Sequence, residues 1–268
     1  NIPENMIFVS ARENGNIHAL KEKITALVRS VPPARELIAD LVSPGDAVVL
    51  VTPIDSAAPK GRLILPQQQT IRSLLDAGCI PVVTRETELA RTLSLLREPP
   101  ALVVTDSQAF GMVSRIVPDS VRLTSFSILF ARYKGDLRTA VLGAAALRQL
   151  KDGDTVLISE GCTHHRQCGD IGTEKLPRWV RQYTGRDIRF VFTSGGEFPE
   201  NLSPYALIIH CGACMLGERE MQSRLRRAAE QCIPVTNYGI AIAQIHGILD
   251  RALRPFSALH AEWKKQQQ

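Results

Sequence analysis

Two short stretches of cysteine and histidine contain the side chains of this sequence that are best suited to chemistry. The first is Cys162-Thr163-His164-His165 and the second is His210-Cys211-Gly212-Ala213-Cys214. Each follows an apolar run typical of a β-strand, residues 155–159 and 205–209. If these runs are neighbouring parallel strands, both stretches emerge at the carboxyl edge of one sheet, where open α/β folds bind ligands. Thiolate and imidazole groups suit zinc, copper(I) and iron–sulfur clusters, so a metal centre is the first hypothesis.

The spacing leaves the identity of the metal open. Cys211 and Cys214 have the C-x-x-C spacing at which two thiolates bind one metal centre, and Cys162 would supply a third. Zinc would take four ligands, the three cysteines with either His164 or His210. A 4Fe-4S cluster would take the three cysteines and leave one iron for an exchangeable ligand.

A thiol redox couple is the other chemistry that a C-x-x-C pair can perform. Cys211 and Cys214 follow a strand, as such couples do, but a couple of this kind has no need of Cys162. In either case we expect Gly212 to adopt the unusual dihedral angles that the turn requires. Cys168 lies six positions after Cys162 and is either a loop thiol or a further ligand of the same centre.

Composition limits the class of protein. The chain has 268 residues and a formal charge of +5, its Lys and Arg residues are scattered, and aromatic residues are few, so we do not expect nucleic-acid binding. It contains no run of roughly 18 apolar residues that would span a membrane. Its six cysteines suit metal binding in a reducing compartment better than a disulfide framework. We therefore expect a cytoplasmic protein.

Hydrophobic patterning predicts an α/β fold with two mostly parallel-sheet domains, at residues 34–125 and 126–268, after a short segment at residues 1–33. The predicted strands are 47–51, 80–84, 101–105, 155–159, 188–192, 205–209 and 233–236. The predicted helices are 35–41, 67–77, 88–97, 136–150, 174–183, 218–231 and 239–251.

The two predicted domains contain similar segments. Residues 45–50 are similar in sequence to residues 153–158, and residues 101–104 are similar to residues 206–209. Cys79-Ile80-Pro81-Val82 also matches Cys232-Ile233-Pro234-Val235, each at the start of a predicted strand. We interpret this as two related folds, and we assign Cys79 and Cys232 to core packing.

The amino-terminal segment resembles the end of a small GTPase domain. A predicted strand at residues 6–9 leads to Ser10-Ala11-Arg12 and then to an amphipathic helix carrying Ile17, Leu20, Ile24 and Leu27. The resemblance identifies Ser10 and Ala11 as guanine-contacting residues. No Gly-Lys dipeptide occurs, so the phosphate-binding loop G-x-x-x-x-G-K-S/T is absent from the sequence. We expect no GTP binding or hydrolysis by this chain, and no enzyme activity.

The pattern Cys162-x-His164 followed by His210-Cys211-x-x-Cys214 resembles the C-x-H…H-C-x-x-C signature of the HydF family, the GTPases that mature FeFe-hydrogenase. The order of segments matches that family's GTPase, dimerisation and cluster-binding domains. On this resemblance the chain is a truncated member that lacks most of the GTPase domain, and GTP and magnesium belong to the full-length parent only.

The resemblance implies a 4Fe-4S cluster held by Cys162, Cys211 and Cys214, with His164, His210, Glu160 or an exogenous ligand at the fourth iron. It implies a scaffold that receives a di-iron precursor from two radical-SAM maturases and delivers it to apo FeFe-hydrogenase. A homodimer or a higher homo-oligomer is expected.

A carrier of this kind requires positive charge around an anionic cargo. His165 is the last residue of the first cysteine stretch, Arg166 directly follows it, and Arg178 lies on the next predicted helix. We expect these three side chains to contact the di-iron precursor.

Overall fold

The structure is a computed structural model that describes residues 6–29, 35–54, 63–161, 170–213 and 215–267. It divides the chain into two units, Asn1–Arg35 and Glu36–Gln268. In the smaller unit, helix α1 (Ile17–Arg29) forms where the amphipathic spacing predicts it. Ser10 and Gly15 precede the helix and exchange two backbone hydrogen bonds of 3.1 and 3.0 Å.

The strand predicted at residues 6–9 is wrong for the described residues, because this run has no regular structure. Phe8 is 69% exposed and Met6 is 57% exposed. A short apolar run forms a strand only when a partner strand satisfies its backbone groups, and no described strand of this unit provides one.

The first sheet of the larger unit contains four parallel strands in the order β2-β1-β3-β4. They are β1 (Ala47–Val51), β2 (Ile80–Thr84), β3 (Leu102–Thr105) and β4 (Leu123–Ser125). The intervening helices are α2 (Leu65–Asp76), α3 (Leu89–Leu95) and α4 (Phe110–Ile116). The central strands β1 and β3 are rich in Val and Leu and buried on both faces, which is typical of a parallel sheet covered by helices.

Helices α5 (Phe126–Lys134) and α6 (Leu137–Ala144) connect the two sheets. The side chains of Ser125 and Asp136 cap their amino ends by accepting backbone N–H bonds. A 3-10 turn, Ala145–Arg148, follows α6.

The second sheet repeats the arrangement of the first, with four parallel strands in the order β6-β5-β7-β8. These strands are β5 (Thr155–Ser159), β6 (Arg189–Thr193), β7 (Leu207–His210) and β8 (Val235–Asn237). The helices of this part are α7 (Leu176–Thr184), α8 (Glu218–Glu230), α9 (Tyr238–Ile245), α10 (Leu249–Leu253) and α11 (Ser257–Gln267). A π-helical turn, Ile171–Lys175, leads into α7.

The helices near the junction pack across from one half to the other. α6 lies against β8 so closely that a Cβ at Gly143 would be 2.0 Å from the carbonyl oxygen of Val235. α10 lies against β4 of the first sheet. A single hydrophobic core therefore extends from the first sheet through α5, α6 and α9 to α11.

Several predicted helices differ from those observed. Residues 35–41 form only the 3-10 turn Ala39–Leu41. The helix predicted at 239–251 is interrupted by Gly247, which adopts a left-handed φ of 70° and separates α9 from α10. The sequence predictions also omitted four elements: α4 and β4 are short, α5 is largely apolar, and α11 is mostly polar, so none of them shows a clear periodicity.

Two of the three pairs of similar segments occupy equivalent positions in the two sheets. β1 and β5 occupy equivalent positions in the two sheets, as do β3 and β7. The third pair does not correspond, because the segment after Cys79 forms edge strand β2 whereas the segment after Cys232 leads to β8 at the opposite edge. Cys79 is buried as predicted, but Cys232 is exposed, with a φ of 56° in a turn, so its assignment to the core is wrong.

Among the residues that the structure describes, none of the helices combines the length and apolar character that crossing a membrane requires.

Candidate metal centre

The two predicted half-sites follow neighbouring strands. β5 and β7 pair in parallel, and Ser159 at the end of β5 lies opposite His210 at the end of β7. The N–H of Cys211 donates to the carbonyl of Ser159 at 2.9 Å, which extends the pairing by one residue. The sequence prediction that these strands are parallel neighbours is therefore confirmed. Glu160 and Cys211 leave the sheet together at its carboxyl edge.

Six of the cysteine and histidine candidates and their basic neighbours lie outside the described residues: Cys162, His164, His165, Arg166, Cys168 and Cys214. The structure does describe the residues that flank them. Within the described residues there is no group of three or more His, Cys, Asp and Glu side chains arranged to hold a metal ion.

The Cys211 sulfur is the best defined of the predicted ligands. The backbone N–H of Gly161 donates to Cys211 Sγ at 3.0 Å, and that of Ala213 donates at 3.4 Å. Amide donors stabilise negative charge on sulfur, and the thiolate is the form of cysteine that binds metals. Gly161 is the last described residue before segment 162–169. The chain therefore reaches the first cysteine stretch in direct contact with the predicted ligand atom of the second.

Close packing at Gly161 maintains this contact. A Cβ at position 161 would lie 2.7 Å from Cγ and 2.9 Å from Cδ1 of Leu216. Lys134 on α5 holds the other side of the loop, because its Nζ donates to the carbonyls of Ala213 and Leu216 at 3.4 and 3.3 Å. The loop after β7 is thus attached both to the end of β5 and to α5.

The unusual backbone angle in this loop belongs to Ala213 rather than to Gly212. Ala213 has a φ of 52°, and Gly212 is not among the residues with positive φ. The sequence expectation about Gly212 is therefore wrong. A non-glycine residue in the left-handed region costs roughly 1–2 kcal/mol, and Ala213 tolerates this angle while its side chain is buried in the core beside α8.

Glu160 and Tyr238 form a second, largely buried part of the site. Glu160 is only 3% exposed, and the Tyr238 hydroxyl donates to its Oε1 at 3.3 Å. Burial, followed by the charges of Glu160, Cys211 and Asp170, raises the pKa of Tyr238 far above its ordinary value, so the phenol stays protonated. Gly172 is required beside this pair, because a Cβ there would lie 2.3 Å from the Tyr238 hydroxyl.

Sequence reasoning missed Tyr238. It begins α9 directly after β8, which pairs in parallel with β7 and ends at the same edge, and its neighbour Asn237 caps that helix by accepting from the Ile240 N–H. The combination of an N-cap residue with a strand end is the signal that would have indicated it.

His210 is buried behind the loop, at 1% exposure. Its Nδ1 lies 2.9 Å from the Cys211 carbonyl, which only accepts, so Nδ1 carries the proton. Its Nε2 lies 3.1 Å from Nη1 of Arg224, which only donates. Burial lowers the pKa of His210 to about 4, so the ring is neutral near pH 7. In this structure both ring nitrogens of this predicted ligand have protein partners.

Arg224, another residue that sequence reasoning did not select, is 2% exposed. Besides His210, its guanidinium donates to Glu220 Oε1 at 2.8 Å and to the Gly195 carbonyl at 2.8 Å. It also approaches Ser159 Oγ at 3.4 Å. In sequence this arginine belongs to a cationic run on an amphipathic helix, where a solvent-exposed position is the ordinary expectation.

Three further predicted site residues are described, Arg178, Ser10 and Ala11. Arg178 is exposed on α7. Ser10 belongs to the amino-terminal unit, where its Oγ accepts from the Glu13 N–H at 3.2 Å, and Ala11 is exposed in the same turn.

The described residues fit an iron–sulfur centre at this edge in part. Cys211 has the sulfur and amide donors that a cluster ligand requires, and the Glu160 carboxylate is an oxygen donor on the adjacent strand. His210 does not fit as a ligand in the arrangement observed, because its acceptor nitrogen already binds Arg224.

No curated protein matches the chain. An ABC transporter solute-binding protein from Burkholderia multivorans aligns at 12% identity and a TM-score of 0.25, covering 84% of this chain and 94% of that one, a similarity too low to support an argument.

Two family descriptions match the chain, one on each half of the larger unit. The dimerization domain of hydrogen maturase F matches residues 37–135, and the tetramerization domain of hydrogen maturase F matches residues 138–255. Both confirm the resemblance stated from the cysteine–histidine signature, and they indicate a homo-oligomeric protein of hydrogenase maturation. The chain therefore belongs to the hydrogen maturase F family.

Proposed function

We propose that the chain is a scaffold that holds a 4Fe-4S cluster through Cys162, Cys211 and Cys214 and carries a di-iron precursor to apo FeFe-hydrogenase. The observation that carries the proposal is the contact between the Gly161 N–H and Cys211 Sγ at the edge of paired strands β5 and β7. This contact supports the idea that the chain brings the first cysteine stretch to the second.

When bound, the cluster would supply a reducible iron centre with one iron that no cysteine holds. The protein would contribute a fixed thiolate at Cys211, stabilised by two amide donors and by the rigid sheet beneath it. Rigid support of this kind keeps ligands at the spacing that a cluster requires.

The candidates for the fourth iron are His164, His210, Glu160 and an exogenous ligand. We favour Glu160 over His210, because Glu160 follows β5 at the backbone position next to Cys211 and a carboxylate can accept from Tyr238 and still bind a metal, whereas the single acceptor nitrogen of His210 is bound by Arg224. A carboxylate is a weaker ligand for iron than a thiolate, which suits a position that must exchange.

The cargo and partners follow from family membership. We assign positive contacts with the precursor to His165, Arg166 and Arg178, of which Arg178 is exposed on α7. Two radical-SAM maturases would supply the precursor and apo-hydrogenase would receive it, in the cytoplasm. The chain would act by transfer rather than by turnover.

Anaerobic reconstitution tests the proposal. We expect brown protein whose bound iron and sulfide approach the content of one 4Fe-4S cluster per chain, and Cys211→Ser to lose most of it. Cys232→Ser is the matched control, because Cys232 is a free, exposed thiol at the opposite end of β8. Colourless protein that binds one zinc per chain would instead identify a structural zinc site. A disulfide between Cys211 and Cys214 that cycles without metal would identify a thiol redox protein.

A further inference from the structure

A buried pair of side chains, Arg224 and His210, lies behind the cysteine loop. His210 is the last residue of β7, and Arg224 approaches it from helix α8. Both are almost completely buried, at 1% and 2% exposure. They meet through Arg224 Nη1 and His210 Nε2, which are 3.1 Å apart.

The Arg224 guanidinium is held on all sides. Its Nε donates to Glu220 Oε1 and its Nη2 donates to the Gly195 carbonyl, each at 2.8 Å. Its planar face covers the ring of Phe198, 5.1 Å from the centroid. Because these contacts come both from helix α8 and from the turn that contains Gly195 and Phe198, the guanidinium has one defined position, and it directs Nη1 at His210.

This geometry determines which nitrogen of His210 is available. An arginine N–H can only donate, so Nε2 must be the acceptor, and the proton is on Nδ1, which donates to the Cys211 carbonyl at 2.9 Å. Binding of iron by His210 would require the imidazole to leave one of these two partners. Leaving Arg224 would also strand a buried N–H without an acceptor, which is unfavourable.

We propose that Arg224 is a positioning residue that occupies His210 Nε2 and so keeps this imidazole off the cluster, leaving one iron open to an exchangeable ligand. The inference rests on the proposed function, since it concerns the coordination of the same cluster. The imidazole then acts through the backbone: its Nδ1–H holds the Cys211 carbonyl and thereby orients the loop that presents the sulfur.

The test compares Arg224→Met with Arg227→Met in the full chain, reconstituted anaerobically and reduced. Methionine keeps the apolar stem of arginine but cannot donate to His210. Arg227 is the matched control, because it also lies over Phe198, at 5.8 Å, and binds the Phe198 and Pro199 carbonyls without contacting His210. Pulsed EPR detects any histidine nitrogen bound to the cluster.

We expect Arg224→Met to gain a strong ¹⁴N coupling that the unsubstituted chain and Arg227→Met lack. The double variant Arg224→Met/His210→Ala should lose this coupling. Arg224→Lys, which restores a donor, should give the same spectrum as the unsubstituted chain. Added ¹⁵N-imidazole should bind the open iron of the unsubstituted chain at a several-fold lower concentration than it binds the iron of Arg224→Met. If Arg224 only filled space in the core, its substitution would lower thermal stability but would leave the ¹⁴N coupling and the imidazole affinity unchanged.

Two results would overturn the inference. The first is a ¹⁴N coupling in the unsubstituted chain that the single variant His210→Ala loses. The second is a spectrum of cluster-loaded Arg224→Met identical to that of the unsubstituted chain. If Arg224→Met does not fold, ¹⁵N-histidine NMR of the unsubstituted apo-protein decides. A His210 ring protonated on Nε2 instead of Nδ1 would contradict the inference. Absence of any cluster from the parent protein is a different outcome, which would reject the proposed function itself.

Discussion

The backbone amide of Gly161 lies 3.0 Å from the sulfur of Cys211. Fifty positions separate these residues in sequence, yet the parallel pairing of β5 with β7 brings them together. Substitution of Gly161 by Ala should disrupt this contact, because the new Cβ would lie 2.7 Å from Leu216 Cγ, a distance that folded proteins do not tolerate without movement.

We expect Gly161→Ala to lower the free energy of unfolding by about 1–3 kcal/mol, the usual effect of overpacking, and to lower the iron bound after reconstitution. Denaturant unfolding and iron analysis measure the two effects. Gly111→Ala is the control, because outside its chain neighbours and the backbone of helix α4 nothing lies within 4 Å of a Cβ at this position, and it should lower neither quantity. Full iron retention by Gly161→Ala would show that the contact does not position the site.

The low pKa of His210 makes the stability of the apo-protein depend on pH. In the unfolded chain the ring takes up a proton near pH 6.5, whereas in the folded chain burial lowers its pKa to about 4. The stabilisation is therefore complete above pH 6.5 and is lost as the pH falls from 6.5 toward 4, by up to about 1.4 kcal/mol per pH unit.

Denaturant unfolding of the metal-free protein between pH 7 and pH 5 measures this slope. His210→Gln, which cannot titrate, should show a flatter dependence by about the same amount. Replacement of the exposed His18 by Gln serves as the control, because His18 lies on α1 in the other unit, and it should keep the original slope. Equal slopes for the parent and His210→Gln would mean that His210 is not buried as the structure has it.

Tyr238 makes the stability of the protein depend on pH at the alkaline end of the range. Its phenol has a pKa raised above the ordinary value of about 10, so the unfolded chain ionises first, and stability falls as the pH rises above 10. Tyr238→Phe should remove this alkaline loss. At neutral pH the same substitution should lower the free energy of unfolding by about 1–3 kcal/mol, because the buried Glu160 carboxylate loses a donor.

Measurements of unfolding at pH 7 and above pH 10 test both effects. Tyr205→Phe is a suitable control, because Tyr205 is half-buried beside the core near α8 and its hydroxyl forms no hydrogen bond within the described residues. If Tyr238→Phe were as stable as the parent protein at pH 7, the hydrogen bond to Glu160 would not contribute to the fold.

Much of the fold and the location of the candidate site were predictable from sequence, because the strand runs are apolar and the cysteine stretches follow them directly. The repeated turn before β1 and β5 is an example, because Gly45 and Gly153 both have positive φ values. In each turn the aspartate side chain accepts from the backbone N–H three residues earlier, Asp46 from Ser43 and Asp154 from Lys151, both at 2.8 Å. Local chemistry determines such features.

The partners of the site residues were not predictable. Arg224 looks like one residue of a basic helix face, and its burial depends on the position of α8 over the ends of β5 and β7. Similarly, Tyr238 reaches Glu160 only because β8 is placed beside β7. Such contacts follow from the order of the strands in the sheet, which periodicity does not indicate.

The last prediction concerns the edges of the two sheets. β2 lies in the part that matches the dimerization domain, and β6 lies in the part that matches the tetramerization domain. Each pairs with one strand only among the described residues. Both edges expose apolar side chains: Ile80 and Val83 on β2, at 57% and 45%, and Val191 and Phe192 on β6, at 39% and 37%. Exposed apolar edge strands are typical contact surfaces between chains.

We therefore expect Val83→Asp to weaken the dimer contact and Val191→Asp to weaken the contact between dimers, because each would bury an unpaired charge. A loss of 1.4–2.8 kcal/mol would raise the corresponding dissociation constant by about tenfold to a hundredfold. Sedimentation velocity over a range of concentrations distinguishes monomer, dimer and tetramer. Leu95→Asp introduces the same charge at a 75% exposed position on α3, outside both edge strands, and should leave the assembly intact. An unchanged tetramer in Val83→Asp and Val191→Asp would place the contacts on the helical faces of the two halves.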